Sequence, residues 1–284
     1  MTTSAPGKLM LFGEHAVVYG YPCIVTAISE RLIVETSEKN CLPKDTRFVD
    51  AAIKLWGTEE TKLSTTCSFS GVYGFGSSSA VTVATLKLLK PDVDNKTLFD
   101  AAYKIVLDIQ KTGSGFDVAA AVYGGTVYYV KNKIREPLSV KSMPLIVGYT
   151  GVKSNTVDIV NSVAGKREQY GEKVERIFQS IAKIVEDAKS KIIEGDWERV
   201  GRFMDFNQDY LRDLGVSSEK LEAMIKAAKD AGAYGAKLSG AGGGDCMIAL
   251  APPDKRQAVE EAITRAGGEV VPVTPNAEGV RVEL

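Results

Sequence analysis

The chain has 284 residues, of which 44% are hydrophobic and 25% charged, and a formal net charge of −1. This length suffices for one large or two ordinary domains with real cores, and this composition belongs to globular chains rather than disordered ones. The near-zero charge gives no electrostatic reason to expect nucleic acid or an anionic membrane as partner, so an anionic ligand has to be met by local groups.

Cys23, Cys41, Cys67 and Cys246 are far apart with no CxxC pair, and His15 is the only histidine, which argues against a zinc site and for reduced thiols. The N-terminal apolar run is too short for a signal peptide and no stretch reaches spanning length, so the expected setting is cytoplasmic.

In chain order, residues 8–12 are predicted as a short strand, followed by GEHAVVYGYP and two strand-like runs, CIVTAI and RLIVET. A short helical segment covers 50–56 and a strand 67–69. Residues 71–89, GVYGFGSSSAVTVATLKLL, read as a glycine loop opening a buried helix. Residues 96–110 have helical apolar spacing and lead into a second glycine cluster, KTGSGFDVAAAVYGG. A strand at 126–130 and a polar connection at 132–142 follow.

The composition shifts near Met143, which marks the expected boundary between domains 1–142 and 143–284. LIVGYTG is a strand, 156–194 is helical with a short interruption near Gly171, and 196–211 and 217–231 are two more helices. AKLSGAGGGDCMIALAP reads strand, glycine loop, strand; residues 255–266 form a helix; EVVPVTP and GVRVEL are expected to close this second sheet. The succession of strand, helices, strand, strand, helix, strand is that of a ferredoxin-like layer, and the fold class is α+β.

The stretch from Gly71 carries the first chemical signal. Glycines accept positive φ and let backbone N–H groups approach an anion, while the helix that follows offers unpaired N–H groups and a positive dipole end. Ser77, Ser78 and Ser79 add hydroxyl donors for phosphate and a neutral oxygen for Mg²⁺. A Walker loop is excluded because no Lys precedes the first serine, and a dinucleotide fingerprint because the third glycine position is Ser79.

Three glycine-bearing motifs, APGKLMLFGEHAVVYG, YGFGSSSAV and KLSGAGGGDC, occur in the order and spacing of the GHMP kinases, and nearly the whole chain resembles that superfamily. The resemblance implies an N-terminal domain related to ribosomal protein S5 domain 2, a ferredoxin-like C-terminal domain, and ATP with Mg²⁺ held between them. Residue by residue it implies a triphosphate cup of Gly74, Phe75, Gly76, Ser77, Ser78 and Ser79, with Ser78 as Mg²⁺ ligand. Ser239, Gly240, Ala241, Gly242 and Gly243 line the site from the second domain. Asp117 matches the catalytic carboxylate and Lys8 the lysine paired with it, a pairing that keeps the acid ionised beside the transferring phosphoryl group.

Within the superfamily, GEHAVVYG resembles the mevalonate kinases, with Glu14, His15, Ser114, Gly115 and Tyr149 implied around the acceptor; the second half resembles the archaeal enzymes of that branch. Other features resemble phosphomevalonate kinases. Position 106, eleven before Asp117, is Val where mevalonate kinases carry a Glu metal ligand, and Asp108 is the nearest carboxylate. GSGFD replaces PSGxD, the proline preceding the serine loop is missing, and Asp245 follows the third glycine run. The acceptor is therefore mevalonate or, second, 5-phosphomevalonate, for which Lys111, Lys153 and Lys237 are the candidate free cations. A nucleotide-binding sensor without transfer is the alternative of another class, and the resemblance also allows a homodimer.

Overall fold

The computed structural model describes residues 1–111, 113–140 and 142–283. The first half is built on two long strands, β1 (Thr2–Phe12) and β2 (Cys23–Thr36), joined through a single 3-10 turn, Ala16–Tyr19. CIVTAI and RLIVET, expected as two strands, are one continuous strand, and β1 begins six residues earlier than its apolar core. Then come α1 (Arg47–Trp56), β3 (Leu63–Cys67), α2 (Ser77–Leu89), α3 (Asn95–Gln110), α4 (Phe116–Tyr123), β4 (Thr126–Val130) and β5 (Ile134–Leu138). Two of these lay hidden in the sequence. The second glycine cluster contains α4, and the connection at 132–142 contains β5, an edge strand whose residues are mostly exposed.

The second half runs β6 (Leu145–Tyr149), α5 (Thr156–Gln169), α6 (Gly171–Glu194), α7 (Trp197–Asp213), α8 (Glu219–Asp230), β7 (Gly235–Ser239), β8 (Cys246–Leu250), α9 (Arg256–Arg265), β9 (Glu269–Val270) and β10 (Arg281–Glu283). Its sheet is antiparallel in the order β7-β8-β6-β9, the ferredoxin-like arrangement expected. GVRVEL departs from expectation. Instead of closing this sheet, β10 returns to the first one and pairs antiparallel with β1, Thr2 opposite Glu283. The first sheet accordingly reads β10-β1-β2-β4-β5, with β3 also on β2. Among the described residues no helix is long and apolar enough to cross a membrane.

The apolar runs of β1 and β2 follow from burial on both faces. Met10, Cys23 and Val25 pack with α2 and α4, while Leu9, Leu11, Ile24 and Ile28 join the core of the second domain, including Phe178 and Ile181 of α6. Each such aliphatic side chain contributes about 1.5–3 kcal/mol. α2 lies under this sheet, buried from Ser79 through Leu86, which explains why it carries no polar face.

Helix α7 crosses β7 at a backbone-to-backbone contact: a Cβ on Gly235 would lie 1.9 Å from the Gly201 carbonyl oxygen. Gly235→Ala is therefore expected to destabilise the fold by about 3 kcal/mol or more, measured by urea unfolding. Gly165→Ala, in α5 with open space around it, is expected to stabilise by about 0.5–1 kcal/mol.

Candidate active site

Both halves contribute to one cleft of about 540 Å³. The glycine loop and the start of α2 form its floor. Gly76 caps α2 at φ +79°, and Gly74 sits at φ +74°. A Cβ on Gly74 would come within 2.6 Å of Asp245 Oδ2 and force it to move, and one on Gly76 would press on Lys8 Cε at 3.1 Å. Phe75 turns inward, 1% exposed, and packs on Phe69 and Tyr73; its carbonyl accepts from Lys8 N at 2.9 Å. That anchor leaves the loop backbone, with Ser77 and Ser78, facing the cleft.

Asp117 enters from the first turn of α4, where Gly115 caps the helix at φ +86°. Its Cβ lies 3.8 Å from the position a Cβ would take on Gly76, so the carboxylate and the phosphate cup are neighbours. Ser79 departs from its expected place in the cup. It is 1% exposed, and its Oγ donates to Asp117 Oδ2 at 2.6 Å, while Val118 N donates to Oδ1 at 3.0 Å. Ser79 thus holds the carboxylate of Asp117 and is not among the residues that line the cleft.

Lys8 does not form the direct pair with Asp117 that was expected. Its Nζ donates to the Gly74 carbonyl at 2.8 Å and lies 5.5 Å from the Phe116 ring centroid. Burial lowers the pKa of this ammonium, and the charges of Asp117 and Asp245 oppose that fall. Lys8 is a desolvated cation between two carboxylates, fixed to the loop it serves.

From the second domain, Ser239, Gly240 and Ala241 line the cleft. The Ser239 hydroxyl is already engaged: it donates to Met10 O at 2.9 Å and accepts from Met10 N at 3.1 Å, bolting β7 to β1. Gly242 and Gly243, expected to line the cleft, turn away, because Gly243 N donates to Val216 O at 2.7 Å and the Gly242 carbonyl accepts from Ser154 Oγ. Tyr149 likewise does not line the cleft; it is buried on β6 with its ring edge-on to Tyr73 at 5.0 Å. Ser114 does line the cleft, and its carbonyl accepts from Tyr129 Oη, while Gly115 serves as the cap of α4.

Glu14 and His15 reach the cleft wall. Glu14 is bound by Lys237, both side chains fully buried, so Lys237 is not the free cation expected. Burial raises the Glu14 carboxyl and lowers the Lys237 ammonium, with mutual attraction opposing both shifts; Glu14 Oε2 has no partner. His15 holds φ +62°, and its Nε2 lies 2.9 Å from the Ala241 carbonyl oxygen. Burial pushes its imidazole down to about 4, so at neutral pH the ring is neutral, donates from Nε2, and turns a lone pair elsewhere.

Several lining residues carry no motif. Gln110, at the last turn of α3, donates through Nε2 to Ser78 Oγ at 3.1 Å, and Val106 and Ile109 of the same helix face the cleft. The spacing of 106, 109 and 110 on one helical face was the available signal. Asp108 is exposed and points off this face, so it is not the substitute carboxylate considered for position 106. Val17, Val18, Val157 and Val160 form an apolar wall, and Arg47 and Lys153 stand at the rim. Lys111 is not among the lining residues.

Removing one member of the buried pair, in Lys237→Met, leaves the Glu14 carboxylate uncompensated and is expected to cost about 3–5 kcal/mol in urea unfolding at pH 7. For His15, whose folded pKa lies below the unfolded 6.5, the unfolded chain takes up a proton that the folded chain resists. Stability is therefore lost as pH falls from about 6.5 towards 4, by up to about 3 kcal/mol, and His15→Gln is expected to flatten that part of the stability curve.

Comparison with known proteins bears on this geometry. Residues 47–125 match the GHMP kinases N terminal domain and residues 188–269 the GHMP kinases C terminal domain. The chain is 37% identical to the mevalonate kinase of Thermococcus gammatolerans, over 99% of this chain and 97% of the other. It is 31% identical to that of Archaeoglobus fulgidus over the full length of both. Among solved structures, the Methanococcus jannaschii mevalonate kinase superposes with a TM-score of 0.84 at 26% identity, covering 96% of this chain and 98% of that one. The L. major mevalonate kinase in complex with R-mevalonate gives 0.84 at 25%, covering 98% and 97%. With a serine-glycine cup, a carboxylate beside it and relatives matched end to end, the chain belongs to the GHMP kinases.

Proposed function

We propose that this protein transfers the γ-phosphoryl group of ATP to the primary hydroxyl of mevalonate, giving 5-phosphomevalonate and ADP. The observation that carries this reading is Asp117: a carboxylate oriented by Ser79 and set beside Gly76 of the phosphate loop, inside a cleft shared by both halves. The relatives matched over their whole length supply the substrate class.

The loop amides and the first turn of α2 would hold the β- and γ-phosphates, where unpaired N–H groups favour negative charge. Asp117 would accept the proton of the attacking hydroxyl through whichever oxygen faces the acceptor, its rotation restricted by Ser79 and by Val118 N. Lys8, already desolvated, would balance charge on the transferring group. The neutral His15 and the valine wall suit a small, methyl-bearing hydroxy acid.

Mg²⁺ fits the donor set. Among the described residues no three His, Cys, Asp or Glu side chains converge as a metal cage, and the Ser78 hydroxyl lies in the cleft. This suits a cation that arrives on the nucleotide's phosphates and needs few protein oxygens, with Ser78 as one of them. Bound there, it would neutralise phosphate charge. The free thiols of all four cysteines support a cytoplasmic setting.

A 5-phosphomevalonate acceptor is the weaker reading. It brings a second phosphate, yet each cation lining the cleft has a partner: Lys8 with Gly74, Arg47 with Asp45, Lys153 with Asp245 and Gly71. A sensor without transfer is the weaker reading, since Asp117 is held beside Gly76 of the phosphate loop, where a base for the attacking hydroxyl is needed.

ADP-release assays with mevalonate and with 5-phosphomevalonate side by side are expected to give turnover with the first; turnover with the second alone overturns the assignment. Asp117→Asn is expected to lower kcat by about 10³-fold or more with nucleotide Kd nearly unchanged, and Ser79→Ala to lower kcat by about tenfold with little change in KM.

A further inference from the structure

α2 and α3 meet at the cleft with opposite ends. α2 presents its N-terminus at Ser77 and Ser78, while α3 terminates at Gln110, followed by Lys111 at φ +63°. The end of α3 offers carbonyl oxygens and a negative dipole pole, so the two helix ends favour charges of opposite sign. Between them lies the contact of Gln110 Nε2 with Ser78 Oγ at 3.1 Å. Gln110 is exposed and lines the cleft, and the turn beneath it is apolar, through Val106 and Ile109. Asp108 of the same helix is exposed and does not line the cleft. Nothing in the packing of α3 requires a side-chain amide at this position.

We propose that the side-chain amide of Gln110 is, with Ser78, a neutral oxygen ligand for the divalent cation that accompanies the nucleotide. The inference rests on the kinase reading given above and names a residue that this reading leaves unused. In the cation-free protein the amide donates to Ser78 Oγ. A half-turn about the last side-chain bond exchanges Nε2 for Oε1 at the same place, and Ser78 Oγ and Gln110 Oε1 then form an adjacent pair of hard, uncharged oxygens. No bond is made or broken in the protein. Because neither ligand is ionised, affinity for the free cation is low, and the nucleotide phosphates bring the metal in. A carboxylate at the same position would bind the cation more strongly and through its own charge.

The test is a titration of Mn²⁺ followed by electron paramagnetic resonance, with a non-hydrolysable ATP analogue present, on the native chain, Gln110→Glu and Gln110→Leu. The expected result is Mn²⁺ binding to the protein–nucleotide complex about tenfold tighter in Gln110→Glu and about tenfold weaker in Gln110→Leu. Affinity for the analogue without metal stays within about twofold in Gln110→Leu, and the melting temperatures of all three metal-free proteins agree. Equal Mn²⁺ affinity in the native chain and Gln110→Leu overturns the inference and leaves the kinase reading intact. Failure of the native chain to form any Mn²⁺–nucleotide complex overturns both. A loss of metal affinity in Gln110→Leu that is matched by an equal loss of metal-free nucleotide affinity assigns Gln110 to loop positioning and also overturns the inference.

Discussion

β1 has no solvent face over its apolar stretch, and this constraint organises the molecule. Met10 points into the helices of its own domain while Leu9 and Leu11 point into the other, so neither half can bury its share of hydrophobic surface without the other. A strand buried on both sides holds its backbone in one place. Lys8 lies in that strand, and Glu14 and His15 follow directly after it, so three groups of the cleft inherit their positions from the packing of the core. The placement of these three groups is a by-product of burial.

The polar contacts across the same seam do a different job. The Ser239 hydroxyl bridges both backbone groups of Met10, and Lys237 meets Glu14 in a fully dry pair. Such a pair adds little net stability over an apolar replacement of equal volume, since desolvation offsets attraction. What it contributes is register: a slip of β7 against β1 by one residue would strand two charges and two backbone groups without partners. The third glycine run follows immediately after Ser239, so the height at which Gly240 and Ala241 enter the cleft is set by these contacts.

Features with a local cause were legible in the sequence. The glycine loop before α2 announces itself because glycine takes the left-handed φ angles at 74 and 76 without strain and leaves room for Lys8 and Asp245 there. The ferredoxin-like order of the second sheet followed from the succession of elements. Asp117 was reachable only through likeness to a family, since a lone Asp at a helix start has many uses. Contacts made at a distance left no trace. Nothing in GVRVEL states which sheet it joins, IREPL lacks the alternation of a buried strand, and Lys237 in an apolar strand resembles any solvated lysine until Glu14, 223 positions away, is seen against it. The inward turn of Ser79 is hidden for the same reason: three consecutive serines look equivalent in a string, but the helical turn sends one of them inward to the carboxylate.

The pairing of β10 with β1 joins residues 281–283 to residues 2–4. During vectorial synthesis the first strand leaves the ribosome long before its edge partner exists, and its outer row of amides and carbonyls stays open until residues 281–283 have been made. β2 and β4 can add from the other side early, so the nascent first domain acquires its helices and most of its core while one border remains unsealed. Arg31 marks where the closure is locked: its guanidinium donates to carbonyls at 278 and 279 and to Ser4, clasping the later-made segment against β1. Protein released short of that segment would keep a bare strand border, the kind of surface that invites intermolecular sheet growth.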